Sequence, residues 1–429
     1  MTDCGKSENK GCLKAVKIGC LSIVALFLIV VLAVAGWFFY VTREVKVHDE
    51  DLVVTFENVP DEENGYFALG KARKELEESG FDTDALCVTN DIPSDENLEV
   101  YRLFVKEHPN VLSRFYSVAG YKHCRCPIDE GVPMFEQDIM PVASLYLLGN
   151  LSLCNIEFLI QEGHQEEALG ALVAHMRIGQ MIQNDANKLV SGVLGLVIHN
   201  QSLKLLVCYL SQGVFSETQL PALNELVVIL QDGSDWKRMA KAEYSSSKEI
   251  CASTVDAVRA NFPSITPARM VKVFYNETRT LKPMARYYYE LLESFGDPDV
   301  QVRFPVIDTE KFSALDWLRL YVSGNIVGPL IHAVTIPSII NVNRTVSEQR
   351  SRVGLVELYL ASWKYYDEQG ELPDELNQLV PEYLSELPVD PYGKGAGFLY
   401  DPAKNEIYSA GVERSEKQDD LKISLGFAE

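Results

Sequence analysis

From Ile18 to Val41 the chain runs for 24 residues without a charged side chain. As an α-helix rising about 1.5 Å per residue, this stretch reaches roughly 36 Å, enough to cross a hydrocarbon core of about 30 Å. Before it, Lys6, Lys10, Lys14 and Lys17 outnumber Asp3 and Glu8; beyond it the chain turns acidic at Glu44, Asp49, Glu50 and Asp51. The positive-inside rule then predicts a single-pass signal anchor, with residues 1–17 cytoplasmic and the bulk extracytoplasmic. Trp37, Phe38, Phe39 and Tyr40 fall at the outer end, where amphipathic rings favour the interface. A cleaved signal peptide competes, because Ala33-Val34-Ala35 matches a small-residue cleavage site. The apolar residues continue to Val41 past that cut, which suits an anchor better.

The remaining chain is long enough for about two or three domains. Lys and Arg number 39 and Asp and Glu 61, a formal charge of −22. Broad electrostatic binding to nucleic acid is therefore excluded, and no nucleic-acid partner is expected.

Periodicity predicts a mainly α body. Tyr66, Leu69, Ala72 and Leu76 share one side of a helix over residues 64–79, and Lys71, Lys74, Glu75 and Glu78 the other. Asp91 to Asp95 reads as a connection. Between Met140 and Leu230, stops at Gly163, Asn184-Asp185 and Gly213 imply four helices, the first two forming an antiparallel hairpin. The absence of a constant repeat period points to an irregular bundle rather than a solenoid. Thr266 and Pro267 fit the cap and first position of a later helix. An apolar run from Val322 to Val342 is interrupted by Asn325, Pro329, His332, Pro337 and Asn341. Each polar group there needs a partner, so burial within the body is favoured over insertion.

Chemistry-bearing residues are sparse. His123, Cys124 and Cys126 form the only compact set of soft ligands, but no second Cys/His cluster accompanies them, so a disulfide or plain loop cysteines is the better reading. The six body cysteines, Cys87, Cys124, Cys126, Cys154, Cys208 and Cys251, could pair in an oxidising compartment; Cys154 and Cys208 lie in apolar patterns and read as core thiols. On one continuous helix His164 and His175 would stand about 16 Å apart and could not share a metal. No zinc-protease, nucleophile-elbow, phosphate-loop or dinucleotide pattern occurs, and no catalytic or cofactor-binding residue is assigned. The sequons at Asn150 and Asn200 fall within helical patterns and read as coincidental; the others are at Asn276 and Asn343. Lys272, Arg279 and Arg286 with Tyr275 and Tyr287 to Tyr289 make a basic, aromatic island, read as a solvated helix face with aromatic core anchors, with contact to anionic lipid or an acidic partner as the sharper alternative.

From residue 346 the character changes. A helix through Val353, Val356 and Leu360 should end at Gly370, a natural cap. Proline-fixed turns follow, and then two strands around Phe398-Leu399-Tyr400 and Glu406 to Ser409. These residues resemble the C-terminal half of the type II secretion major pseudopilin: a helix leading to a segment such as Tyr366 to Leu376, L-P-x-D-P at Leu387 to Pro391, and a strand pair ending in Y-S-x-G at Tyr408 to Gly411. The resemblance covers roughly a sixth of the chain. It implies a helix with a small β-meander, and it places a calcium loop near Glu413 to Asp420, with Ser409, Asp419 and Asp420 as oxygen donors. A solvated acidic loop is the favoured alternative there, because too few ligands are specified. In the family the membrane helix directly precedes this tail; here residues 42–345 intervene, and no prepilin-peptidase motif surrounds the anchor. The layout as a whole also resembles a widespread group of uncharacterised bacterial membrane-anchored proteins, a likeness that implies no function.

The expected organisation is a cytoplasmic tail (1–17), a transmembrane anchor (18–41), an extracytoplasmic helical domain (42–345) and an α+β module of helix plus β-meander (346–429). The expected function is a membrane-anchored binding or scaffold protein, held by the lipid bilayer through residues 18–41 and serving a protein or peptide partner. A periplasmic hydrolase with a non-local active site and an accessory component of a secretion or pilus-like system are the alternatives, and no cofactor beyond calcium is suggested.

Overall fold

The computed structural model describes residues 26–81, 86, 92–215, 219, 223, 236–261, 275–294, 313–325, 327–335, 340–393, 396–410 and 421–428. Within them the fold is mainly helical, with one small antiparallel sheet. The helices are α1 (Leu26–Thr42), α2 (Tyr66–Glu78), α3 (Asp95–Glu107), α4 (Asn110–Ser117), α5 (Val142–Gln161), α6 (Gln165–Asn184), α7 (Leu189–Ser211), α8 (Trp236–Asn261), α9 (Glu277–Glu293), α10 (Ala314–Ser323), α11 (Val327–Thr335) and α12 (Ile340–Gln369).

Two compact units emerge. The first draws on Met1–His48, Ile250–Ala285 and Pro305–Thr335, the second on Asp49–Glu249, Arg286–Phe304 and Ile336–Glu429. Helices α8 and α9 contribute residues to both.

In the second unit, α5, α6 and α7 form the main core. Gly163, at φ 78°, makes the tight turn between α5 and α6 where the sequence places it. Gly179 and Gly195 bring the α6 and α7 backbones together: a Cβ on Gly195 would stand 2.5 Å from Gln183 N and 2.6 Å from Gly179 O. Only a missing side chain permits that approach. The fourth helix expected before Leu230 falls almost wholly outside the described residues, as do Thr266 and Pro267. Helices α3 and α4 were not anticipated. Helix α3 starts with a reciprocal cap between Ser94 and Asn97, and it buries Leu98, Tyr101 and Phe104.

Helix α12 joins this core through Tyr359, whose hydroxyl donates to Leu210 O at 3.1 Å. It ends at Gly370, φ 76°, the cap expected there. The C-terminal strands β1 (Leu399–Asp401), β2 (Glu406–Tyr408) and β3 (Lys422–Ser424) form an antiparallel meander in the order β1-β2-β3, with Tyr400 opposite Ile407 and Ile407 opposite Ile423. Ile407 and Ile423 are fully buried beneath it.

Candidate functional site

Helix α1 begins the described chain and leaves its apolar side chains uncovered. Leu26, Phe27, Leu28, Ile29, Val30, Val31, Leu32 and Val34 are 44–70 % exposed. Contiguous apolar surface of this kind marks a protein or membrane contact. Among the described residues α5 and α7 are the two helices long and apolar enough to cross a bilayer, and both are mostly buried as core helices. The described part of the charge-free stretch, Leu26 to Val41, is shorter than either.

The far end of α1 is gripped by a polar collar within the first unit. Asn276 caps α9, its Oδ1 accepting from Arg279 N at 3.2 Å and Thr278 Oγ1 at 3.0 Å. The same side chain donates Nδ2 to the carbonyls of Val41 at 2.9 Å and Arg43 at 3.3 Å. Its own backbone N–H goes to Asn325 Oδ1 at 3.0 Å, and Asn325 Nδ2 donates to Thr280 Oγ1 at 3.0 Å. Arg279 lies over the Tyr40 ring at 4.1 Å and donates to the Tyr40 carbonyl. The Trp37 indole donates to Val322 O, at the end of α10, at 2.7 Å. Between α10 and α11, Gly324 takes φ 67°, and a Cβ there would fall 2.4 Å from Val41 Cβ. A residue with a side chain would push the α1 exit out of the collar.

Two polar interruptions of the apolar run, Asn325 and His332, are thus partnered inside the protein. Asn325 is engaged as above, and His332 Nε2 meets Thr280 O at 2.8 Å. Burial lowers the His332 pKa from its ordinary value, partly opposed by the bond to the Thr280 carbonyl. Sequence reasoning missed the collar, because its central residue, Asn276, reads as a sequon. That side chain is 2 % exposed, Asn150 and Asn343 are buried too, and half-buried Asn200 meets Arg352 Nη1 at 2.5 Å.

The remaining described candidates, apart from Cys251 of the first unit, lie in the second unit and are not brought to one place. His123 Nδ1 faces Asp185 Oδ1 at 3.1 Å, and the same carboxylate accepts from Arg125 Nη2 at 2.8 Å and Cys124 N at 2.9 Å. Asn64 closes this knot, accepting from Arg125 N at 3.0 Å and donating to Arg125 O at 2.9 Å. Cys124, Cys126, Cys154, Cys208 and Cys251 are free thiols, and Cys87 lies outside the described residues. Burial pushes the Cys124 and Cys126 thiols up, away from the thiolate a nucleophile or metal ligand requires. His164 is exposed before α6, 3.6 Å from Glu167.

His175 is fully buried, with Nδ1 2.8 Å from Ser152 Oγ. The Ser152 hydroxyl in turn meets Tyr116 OH at 2.9 Å, and Asn155 Nδ2 donates to the same phenol at 3.1 Å. The pair has the two heads of a nucleophilic dyad. Ser152 is itself 0 % exposed and, among the described residues, no carboxylate is bonded to the imidazole, so the network reads as polar core. Burial lowers the His175 pKa to about 4.

Ser409 donates its hydroxyl to both Asp390 oxygens at 2.9 Å, and Asp390 also accepts from Ala410 N at 2.7 Å and Tyr392 N at 3.0 Å. The L-P-V-D-P and Y-S-A-G segments are therefore tied by one buried carboxylate. Asp419 and Asp420 lie outside the described residues. Among the described residues no group of three or more His, Cys, Asp or Glu is gathered to hold a metal ion. A cleft of about 290 Å³ opens beside α7 and β3, lined by Lys204, Cys208, Ser211, Gln212, Lys422 and Ser424 among others.

In comparison with known proteins, no family model, no curated protein and no solved structure matches this chain.

Proposed function

We propose that the protein is a membrane-anchored extracytoplasmic binding or scaffold protein, held in the inner membrane by residues 18–41 and presenting its helical body to a protein or peptide partner. The observation that carries the reading is the uncovered apolar surface of α1, on a stretch preceded by lysines and followed by acidic residues. Burying such side chains in lipid is worth about 25 cal/mol per Å² of apolar surface, a term that water alone leaves unsatisfied. The commitment of His123 and His175 to structural partners, and the raised thiols of Cys124 and Cys126, support binding over hydrolysis.

Alkaline extraction of membranes from cells expressing the full chain tests the anchor. The wild-type chain stays in the pellet, and a variant carrying Phe27→Asp, Ile29→Asp and Val31→Asp is released. Recovery of the wild-type chain in the supernatant overturns the reading.

A further inference from the structure

The first unit carries a second uncovered apolar surface. On α10, Leu315, Leu318 and Val322 are 63, 56 and 51 % exposed. Their spacing of three and four residues puts them on one stripe. Asp316 and Arg319 pair at 3.4 Å along the edge of this stripe, with Arg319 largely in solvent. Its start is fixed by a reciprocal cap: Ser313 Oγ donates to Asp316 Oδ2 at 2.6 Å, and Asp316 N donates to Ser313 Oγ at 3.3 Å.

Two observations say what covers this stripe. The helix has 10 residues, about 15 Å, so it is too short to cross a bilayer. Its last turn is also bonded to the anchor, where Trp37 donates to Val322 O. The indole belongs to the aromatic group that ends the charge-free stretch, the level at which tryptophan prefers the lipid–water interface. The apolar stripe of α10 therefore starts at the depth where α1 leaves the lipid. Arg279, held over Tyr40, adds a cation at that same level.

We infer that α10 is a second membrane contact, an interfacial helix that lays Leu315, Leu318 and Val322 into the outer leaflet around the exit of α1. This rests on the proposed anchoring by residues 18–41 and adds a surface to it. The anchor then acts as more than a tether: together with the collar it fixes the first unit against the bilayer, whereas a single helix with a free exit would let that unit swing.

The test places a fluorescent non-canonical amino acid at Leu318, at Arg319 or at Phe27 in the full-length chain, reconstituted in phosphatidylcholine–phosphatidylglycerol vesicles. Lipids brominated at shallow acyl positions should quench the probe at Leu318 strongly, as expected for a depth of about 5–10 Å, and the probe at Arg319 weakly. Quenching at Phe27 without quenching at Leu318 overturns the inference and leaves the anchor intact. Absence of quenching at both overturns the anchor, and the inference with it. A Leu318 probe that is shielded from aqueous iodide but insensitive to brominated lipid would mean that protein covers the stripe, which also overturns the inference.

Discussion

Helices α1 and α7 are both strongly apolar, yet the structure treats them in opposite ways. In α7, Leu196, Ile198, Leu203, Leu205 and Leu206 are all buried, and small or polar residues punctuate them: Ser191, Gly192, Gly195, His199 and Ser202. Three of these interruptions are answered by nearby groups. His199 Nδ1 meets the Gln349 amide at 2.6 Å, the Ser202 hydroxyl returns to Ile198 O at 3.0 Å, and Gly195 admits the α6 backbone. In α1 the run from Leu26 to Gly36 carries no polar side chain, and a Cβ added at Gly36 would meet nothing within 4 Å. Apolar content alone does not tell a core helix from an uncovered one. The position of the small and polar residues, and whether anything answers them, does.

Substituting one aspartate in each helix tests that contrast where the effect is largest. Leu206→Asp buries an unpaired charge and should cost more than about 4 kcal/mol, enough to unfold the second unit. Ile29→Asp should leave urea unfolding of that unit within about 0.5 kcal/mol and reduce membrane retention instead. Equal destabilisation by the two would break the comparison.

The buried polar knot comes next. Asp185→Ala strands Arg125, which is 7 % exposed, and should cost about 3–5 kcal/mol in chemical denaturation. A loss below 1 kcal/mol, on the order of a surface pair, would show that the knot is open to water.

The pH dependence follows from His175. Its pKa is about 4 in the folded protein against 6.5 for the free side chain, because burial disfavours the charged ring. Below pH 6.5 the unfolded chain takes up a proton that the native state refuses until about pH 4. Stability should therefore fall as pH drops through that window, by about 3 kcal/mol from this residue. His175→Phe should reduce the slope and leave the share of buried His199, whose pKa burial lowers to about 3, while membrane retention through α1, which has no group titrating there, should stay constant.

The smallest effect separates the two glycines. Gly195→Val should cost about 1–3 kcal/mol by forcing α6 and α7 apart, and Gly36→Val should change the unfolding free energy by less than about 0.5 kcal/mol. Thermal melts of the purified variants would show it.

Much of the helical layout is readable from the chain because its punctuation is local. Gly163 and Gly370 stop helices where backbone strain demands glycine, and the spacing of Tyr66, Leu69, Ala72 and Leu76 anticipates α2. Helix α3 was overlooked because its capping partner is Asn97 in place of the usual Glu or Gln, and its start lies in an Asp- and Pro-rich stretch that reads as a loop. Strand β3 spans three residues with one buried side chain, too little for an alternating pattern to register. The collar and the Asp390–Ser409 tie share a different reason. Asn276 and Val41 lie 235 residues apart, and Asp390 and Ser409 lie 19 apart, so each pairing exists only after folding. The first third of the Ile18–Val41 stretch lies outside the described residues, and the lysine–acid asymmetry around it rests on sequence.

Orientation across the bilayer is the most direct test of the account. Spheroplasts of cells expressing the chain with an N-terminal epitope would be treated with protease before and after lysis. Digestion of the body in intact spheroplasts, with the epitope protected until lysis, is the predicted result; a body that survives until the cells are broken would contradict it.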